Sequence, residues 1–357
     1  MEKFIFILGR DPELSKQELL SYLESRNIKH QILETSDVAS ILELPSINAA
    51  NMIKDLAGIQ KIAKIIDSFD HLYDGKKNKV RFAISNYTPD EVDLREDLKS
   101  YFKKERIKAT IKKSHHQEQE FLTPSEAQNV VEILQYKGNI AKTIAVFNPK
   151  EYKFRDTQRP QQRPMHTISI RLAKILINLS GVKPGQTLFD PFCGIGTVLQ
   201  EAMLMGIDVI GMDKDKYCID ASKANLDWVK KHYNPSSTYR LISGDARNAA
   251  QLISSVDCVA TEPYMGPFIK GYPTDQQARR IQQDLMVLYS EVLYGLLKIT
   301  KKRIVFITPR FRTKTKKEVP MNLKPLLEKR NLSYQGPFLY SSPTSKMLRE
   351  IWVINKA

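Results

Sequence analysis

The run Thr187-Leu188-Phe189-Asp190-Pro191-Phe192-Cys193-Gly194-Ile195-Gly196-Thr197-Val198-Leu199-Gln200-Glu201-Ala202-Met203 decides the fold. An apolar stretch enters a proline- and glycine-bearing turn and leaves it as a helical pattern, which reads as strand, tight turn, helix. Gly194 and Gly196 let a ligand lie against the backbone. A plain strand-to-helix corner is the alternative, and a GxG turn also opens dinucleotide folds. A dinucleotide fingerprint, however, wants a third glycine where Leu199 stands, and Asp190 at the strand tip repels a pyrophosphate. A cofactor carrying a sulfonium and an ammonium has the opposite need. The turn therefore points to S-adenosylmethionine, with Asp190, Phe192, Gly194, Gly196 and Thr197 as its cofactor-binding residues.

The next strand, Asp208 to Asp213, ends in an acid 23 residues beyond Asp190, where a carboxylate can hold ribose hydroxyls. Tyr239 to Ser243 reads as a third strand, and Gly244-Asp245-Ala246 after it places Asp245, with Ala246, beside the adenine amine. An Asp after a strand is also a common turn former or N-cap. A fourth strand, Val256 to Ala260, delivers Thr261-Glu262-Pro263-Tyr264-Met265-Gly266-Pro267 to the same carboxyl edge, where open α/β sheets bind their ligands. An exocyclic base amine is a poor nucleophile because its lone pair is delocalised into the ring. A fixed acceptor helps it pyramidalise, and an aromatic face holds the base in line with a methyl group. Thr261, Glu262, Pro263 and Tyr264 are the catalytic candidates; a plain loop ending is the alternative.

The formal charge of +15 is uneven: about +1 over residues 1–150 and +14 over the remainder. Such a field attracts a phosphate backbone in a salt-dependent way, although a solvated lysine surface looks the same in sequence. Arg159 and Arg163 in the connector, Arg310 and Arg312 near the carboxyl end, and Lys103, Lys104, Arg106, Lys112 and Lys113 in the nearly neutral first part are the RNA-binding candidates. The three cysteines, Cys193, Cys218 and Cys258, form no CxxC pair and no ligand spacing with the six histidines, so no metal site is expected and a reducing compartment is. Cys193 reads as a small packing residue of the cofactor turn rather than a nucleophile. Phe4 to Leu8 is too short for a signal-peptide core or a membrane span, which predicts a cytoplasmic protein.

Along the chain, strands are expected at residues 3–8, 39–44 and 59–67, with helices at 15–25, capped by Ser15, and 46–57: a small ferredoxin-like α+β unit over residues 1–74. A polar break at Asp74-Gly75-Lys76-Lys77-Asn78 precedes a second unit, residues 79–147, with strands at 80–85, 108–112 and 142–147 and helices at 94–104 and 124–135. The proline-bearing stretch from 148 to 166 reads as an extended linker. Residues 167–357 alternate strand and helix; a helix at 168–179, a long helix at 275–300 and strands at 303–308, 334–338 and 349–354 complete a seven-stranded Rossmann-like sheet.

These residues resemble motifs I and IV of the amino-methyltransferases, and the whole chain is similar to the THUMP-containing tRNA guanine-N2 methyltransferases that act on guanosine at position 10. Beyond the two motifs, the likeness runs through Phe4 to Ser15, Arg155-Asp156, Arg159-Pro160, Arg163-Pro164-Met165-His166, Leu172-Ala173-Lys174 and Asn178-Leu179. It implies a class I methyltransferase domain preceded by a ferredoxin-like and THUMP RNA-binding region that docks the acceptor stem. It also implies S-adenosylmethionine as cofactor and tRNA as partner, and leaves a small activating protein subunit open. One departure matters. The family's motif IV is Asp-Pro-Pro-Tyr, so Thr261 stands at the Asp and Glu262 at the first Pro, displacing the carboxylate by one position. Methylation of another RNA or DNA base, or a noncatalytic tRNA-binding protein that retains the fold, are the alternatives.

Overall fold

A computed structural model describes the chain apart from residues 71, 74–77, 90, 115–119, 164–167, 341–344 and 357. It divides into two units, Met1–Lys16 with Asn27–Lys153, and Gln17–Arg26 with Phe154–Ala357. The polar break at 74–77 and the Pro164-Met165-His166 end of the connector lie outside the described residues. Among the described residues no helix is long and apolar enough to cross a membrane.

The first unit opens with β1 (Glu2–Leu8), whose Phe4 to Leu8 are all buried, as a central strand covered on both faces requires. Helix α1 (Pro12–Ser25) begins a turn earlier than expected. Pro12 takes the first helical position, which needs no N–H, and Ser15 lies inside with its hydroxyl donating to the Asp11 carbonyl at 2.8 Å. An edge strand, β2 (Gln31–Thr35), escapes sequence reading because its Ile32 and Leu33 are exposed and give no alternation. It is followed by β3 (Ala39–Leu44), α2 (Ala49–Asp55), β4 (Ile59–Ile65), β5 (Lys79–Asn86), α3 (Arg95–Lys104) and β6 (Lys108–Ile111).

The helix expected at 124–135 is a single capped turn, α4 (Pro124–Ala127), followed by β7 (Val131–Tyr136) and β8 (Asn139–Val146). Asn129 adopts φ +60°, which stops the helix, and the β-branched stretch beyond it pairs with β5 and β8. The eight strands make one sheet in the order β2-β3-β1-β4-β8-β7-β5-β6. The two α+β pieces read from sequence are thus continuous, joined where β4 runs antiparallel to β8 from Lys61 opposite Val146 to Ile65 opposite Ala141. That seam holds an ion pair with no exposed surface, Lys61 with Glu132.

The connector is not extended: α5 (Pro149–Gln158) is a helix with Pro149 at its first position, where proline is favoured rather than disruptive. In the second unit follow α6 (Ile170–Ser180), β9 (Thr187–Asp190), α7 (Thr197–Leu204), β10 (Asp208–Asp213), α8 (Lys216–Tyr233), β11 (Tyr239–Ser243), α9 (Ala249–Leu252), β12 (Cys258–Thr261), α10 (Asp275–Ile299), β13 (Arg303–Arg312), β14 (Glu318–Val319), α11 (Lys324–Glu328), β15 (Ser333–Tyr340) and β16 (Met347–Asn355). Seven strands lie in the order β11-β10-β9-β12-β13-β16-β15, and the two-residue β14 pairs with β13, so the sheet has eight strands where seven were expected.

Strands β9 to β13 run parallel to one another, whereas β14 and β16 run antiparallel to β13, and β15 antiparallel to β16. This is a class I methyltransferase-like α/β fold with a mixed sheet. Phe189, Val259, Tyr289, Phe306 and Trp352 are buried together in its core. Chain order reverses between β9 and β12, which opens a crevice at their carboxyl ends.

Candidate active site

Asp190 ends β9 in that crevice, 2% exposed. Its Oδ1 accepts hydrogen bonds from the Thr261 hydroxyl at 2.6 Å and the Phe192 N–H at 3.1 Å. Burial pushes its acid up to about 7; the two hydrogen bonds oppose this, and the nearby charges of Asp213 and Glu262 add to it. Among the described residues no lysine or arginine pairs with it. A buried carboxylate without a cation is the place where a sulfonium-ammonium ligand gains most. The strand tips of β9, β10 and β12 therefore come together as the sequence predicts.

The turn after Asp190 is fixed from several sides. The Gly194 N–H donates to Asp213 Oδ2 at 3.0 Å, and the Cys193 N–H to the Met212 carbonyl at 2.9 Å. A Cβ on Gly194 would point into open space, whereas one on Gly196, at φ +85°, would lie 3.0 Å from the Ser222 hydroxyl. Space over Gly194 and the Ser222 side chain packed against Gly196 leave the turn open to a ligand at the first glycine and closed at the second. The Ser222 hydroxyl donates to the Gly194 carbonyl at 2.8 Å and Asn225 Nδ2 to the Ile195 carbonyl at 2.9 Å. These two buried polar groups, three apart on α8, are functional supports that sequence reading missed; polar residues at helical spacing on an otherwise apolar face were the available signal. Cys193 is buried, and burial pushes its thiol well above the ordinary range, as suits a packing residue.

Asp213 ends β10 with Oδ1 accepting from the Asp215 N–H at 3.0 Å, so both oxygens are oriented before any ribose arrives. Phe192 is partly buried against the core, and Ala246 is buried. Asp245 stands two residues beyond the end of β11. Its side chain caps the 3-10 turn Ala246–Asn248, and its two oxygens accept from Arg247 Nε at 3.0 Å and Nη2 at 2.7 Å; this pairing holds its acid low.

Thr261 is fully buried, and its hydroxyl is committed to Asp190. Glu262 is half-buried, with Oε1 accepting from Arg349 Nε at 2.5 Å. Pro263 is buried, and Tyr264 is 52% exposed, its carbonyl accepting from the Tyr289 hydroxyl at 2.7 Å. Beyond it Phe268 is 77% exposed, a large aromatic at the rim that the sequence did not single out.

The basic candidates separate. Lys103, Lys104, Arg106 and Lys113 are exposed, while Lys112 donates to the Glu126 carbonyl. Arg159 is not a surface group: at 5% exposure it donates to the Thr197 hydroxyl at 2.9 Å and to Asp156 at 2.8 Å, and so braces the cofactor turn from behind. Beside it Arg155 makes a two-pronged bond to Glu201 of α7. Arg163 reaches Cys218 and Asp215. Arg310 pairs with Glu350 and Glu318, and Arg312 with Glu318, so these two arginines bind carboxylates of their own sheet instead of standing open for phosphate. Local sequence gives no view of those partners, which lie on other strands.

Two family models match the chain. One, described as an RMKL-like methyltransferase domain, covers residues 157–318 and so includes both the Asp190 turn and Glu262; the other, described as a DNA methylase, covers residues 53–224. A tRNA (guanine(10)-N2)-dimethyltransferase of Methanothermobacter thermautotrophicus is 28% identical over 276 residues, 74% of this chain and 78% of its own length. One of the same description from Pyrococcus abyssi is 27% identical over 169 residues, 46% of this chain and 46% of its own length. Among solved structures, TrmN from Thermus thermophilus aligns over 99% of this chain and 100% of its own, at 14% identity and a TM-score of 0.49.

Proposed function

We propose that this chain is an S-adenosylmethionine-dependent methyltransferase that modifies N2 of a guanine in tRNA, near position 10. The observation that carries the reading is the buried, cation-free Asp190 facing the carboxyl ends of β10 and β12. The relatives named as tRNA guanine-N2 enzymes support the substrate. Asp190, Phe192, Gly194, Gly196, Thr197, Asp213 and Ala246 line the cofactor side, with Asp245 at its adenine end. S-adenosylmethionine supplies an electrophilic methyl group when bound there. Tyr264 stacks the base drawn out of its helix, Glu262 accepts from its amine, and the buried Pro263 keeps these two in register at the tip of β12. Residues 1–74 as a ferredoxin-like part and 79–147 as a THUMP-like part present Lys103, Lys104, Arg106 and Lys113 to the RNA. Cytoplasmic tRNA is the partner, and a small activating subunit is compatible with this arrangement.

The experiment is transfer of labelled methyl from S-adenosylmethionine to unmodified tRNA, followed by nucleoside mass spectrometry. N2-methylated guanosine is expected; methyladenosine as the sole product overturns the reading. Tyr264→Ala is expected to lower kcat about 10- to 100-fold, the worth of one base–aromatic stack, while cofactor titration is unchanged. Unaltered turnover removes Tyr264 from the base pocket. A second reading, tRNA binding without catalysis, has one observation in its favour: the residue at the family's Asp position is a threonine whose hydroxyl is already bound to Asp190. Cofactor binding with no methyl transfer to any tRNA is the result that selects it.

A further inference from the structure

We propose that Glu262 reads the Watson–Crick edge of the target guanine, and that Arg349 is the positioning residue that holds its carboxylate in the reading geometry. The inference rests on the guanine-methyltransferase reading above and names the residue that selects the base. Guanine presents two adjacent donors, N1–H and the N2 amine, along that edge. Adenine presents its amine next to a bare N1 lone pair. An ionised carboxylate only accepts, through two oxygens with about four lone-pair sites. It therefore meets both guanine donors at once, and against adenine one oxygen faces a lone pair.

The geometry places such a group at the tip of β12 and keeps it there. Thr261 is buried with its hydroxyl on Asp190, so the acceptor next along the chain is Glu262. Glu350, beside Arg349 in sequence, accepts from Arg310, Thr308 and the Met321 N–H, and is 1% exposed. Glu262 by contrast keeps 16% side-chain exposure next to the half-exposed Tyr264. Among the described residues its carboxylate accepts one hydrogen bond, from Arg349 Nε to Oε1, which uses one lone-pair site and leaves others for a base. Arg349 is itself locked into β16, paired with Pro309 of β13 and Tyr340 of β15. An arginine whose backbone is held in a strand paired on both sides is a firm base from which to orient a carboxylate that has moved one residue along the motif.

The test compares kcat/KM on ligated tRNA transcripts that carry either guanosine or 2-aminopurine riboside at the modified position. The analogue keeps the N2 amine but has a lone pair at N1. The wild-type enzyme is expected to favour guanosine by about 100-fold or more, since a site built to pair with an N–H rejects an analogue that lacks it. Glu262→Gln offers N1 an amide donor, so the guanosine:2-aminopurine ratio is expected to fall at least about tenfold. Arg349→Gln, which frees the carboxylate to rotate, is expected to lower the same ratio and raise KM, with Arg349→Lys restoring part of the ratio. A merely structural arginine would slow both transcripts alike. An active wild type whose ratio is unmoved by Glu262→Gln overturns this proposal alone, and a wild type that methylates neither transcript overturns it together with the function it rests on.

Discussion

Asp190→Ala is expected to weaken S-adenosylmethionine binding about 10- to 100-fold, the range for losing a charge-assisted contact in a buried site. The carboxylate sits 2% exposed, oriented by Thr261 and Phe192, with its acid pushed up to about 7 by burial. Because the folded value lies above the ordinary 3.8, the stability linked to this group is fully present below that ordinary value and is lost as pH rises through about 7. A cationic ligand reverses the balance, since it favours the ionised form. Cofactor affinity in the wild type should therefore climb as pH rises through about 7 and level off above it, and the thermal shift on adding cofactor should be larger at about pH 8 than at about pH 6. Asp190→Asn keeps the shape and should flatten both profiles. Calorimetric titrations of the wild type that show equal affinity on either side of neutrality would falsify the assignment of Asp190 to the cationic end.

What the sequence disclosed is what chain order alone fixes. Parallel strands that alternate with helices put their carboxyl ends on one edge, so Asp190, Asp213 and Glu262 could be grouped from their positions after apolar runs. The partners of those acids were not legible. Glu262 meets Arg349 across 87 positions and two strands of the sheet, and Arg310 meets Glu350 across 40 positions on the adjacent strand, pairings that depend on which strands come to lie side by side. Arg159 was misread for a related reason. Its charge signals a surface, but a short helix in the connector turns it inward to Thr197, and only the three-dimensional path shows that. Prolines misled in the same stretch: Pro149 opens a helix instead of preventing one. At residues 124–135 the apolar spacing suits either period, and tertiary pairing with β5 and β8 decided for strand.

Removing one member of the Lys61–Glu132 pair is expected to destabilise the first unit by about 3–5 kcal/mol, the cost of leaving an uncompensated buried charge. The pair lies at the seam of the sheet, with neither side chain exposed. Lys61 on β4 also donates to the Leu122 carbonyl at 2.7 Å, and Glu132 on β7 accepts from Thr143 of β8 at 2.8 Å and from Ser85 of β5. Four adjacent strands thus converge on one carboxylate, so the network fixes how the two halves of the sheet meet. Burial pulls the Lys61 ammonium below its usual value, and Glu132 opposes that pull. Lys61→Met should accordingly unfold the unit at markedly lower denaturant, whereas Lys61→Met with Glu132→Leu, which removes both charges and fills the space, should recover most of the loss. Denaturant melts of the two single variants and the double variant measure the coupling. A cost below about 1 kcal/mol for either single change would mean that water reaches the seam and that the pair does not set the strand register. If the seam is what positions the RNA-facing half of the sheet, the same variants should weaken tRNA binding while cofactor titration of the full chain stays at the wild-type value.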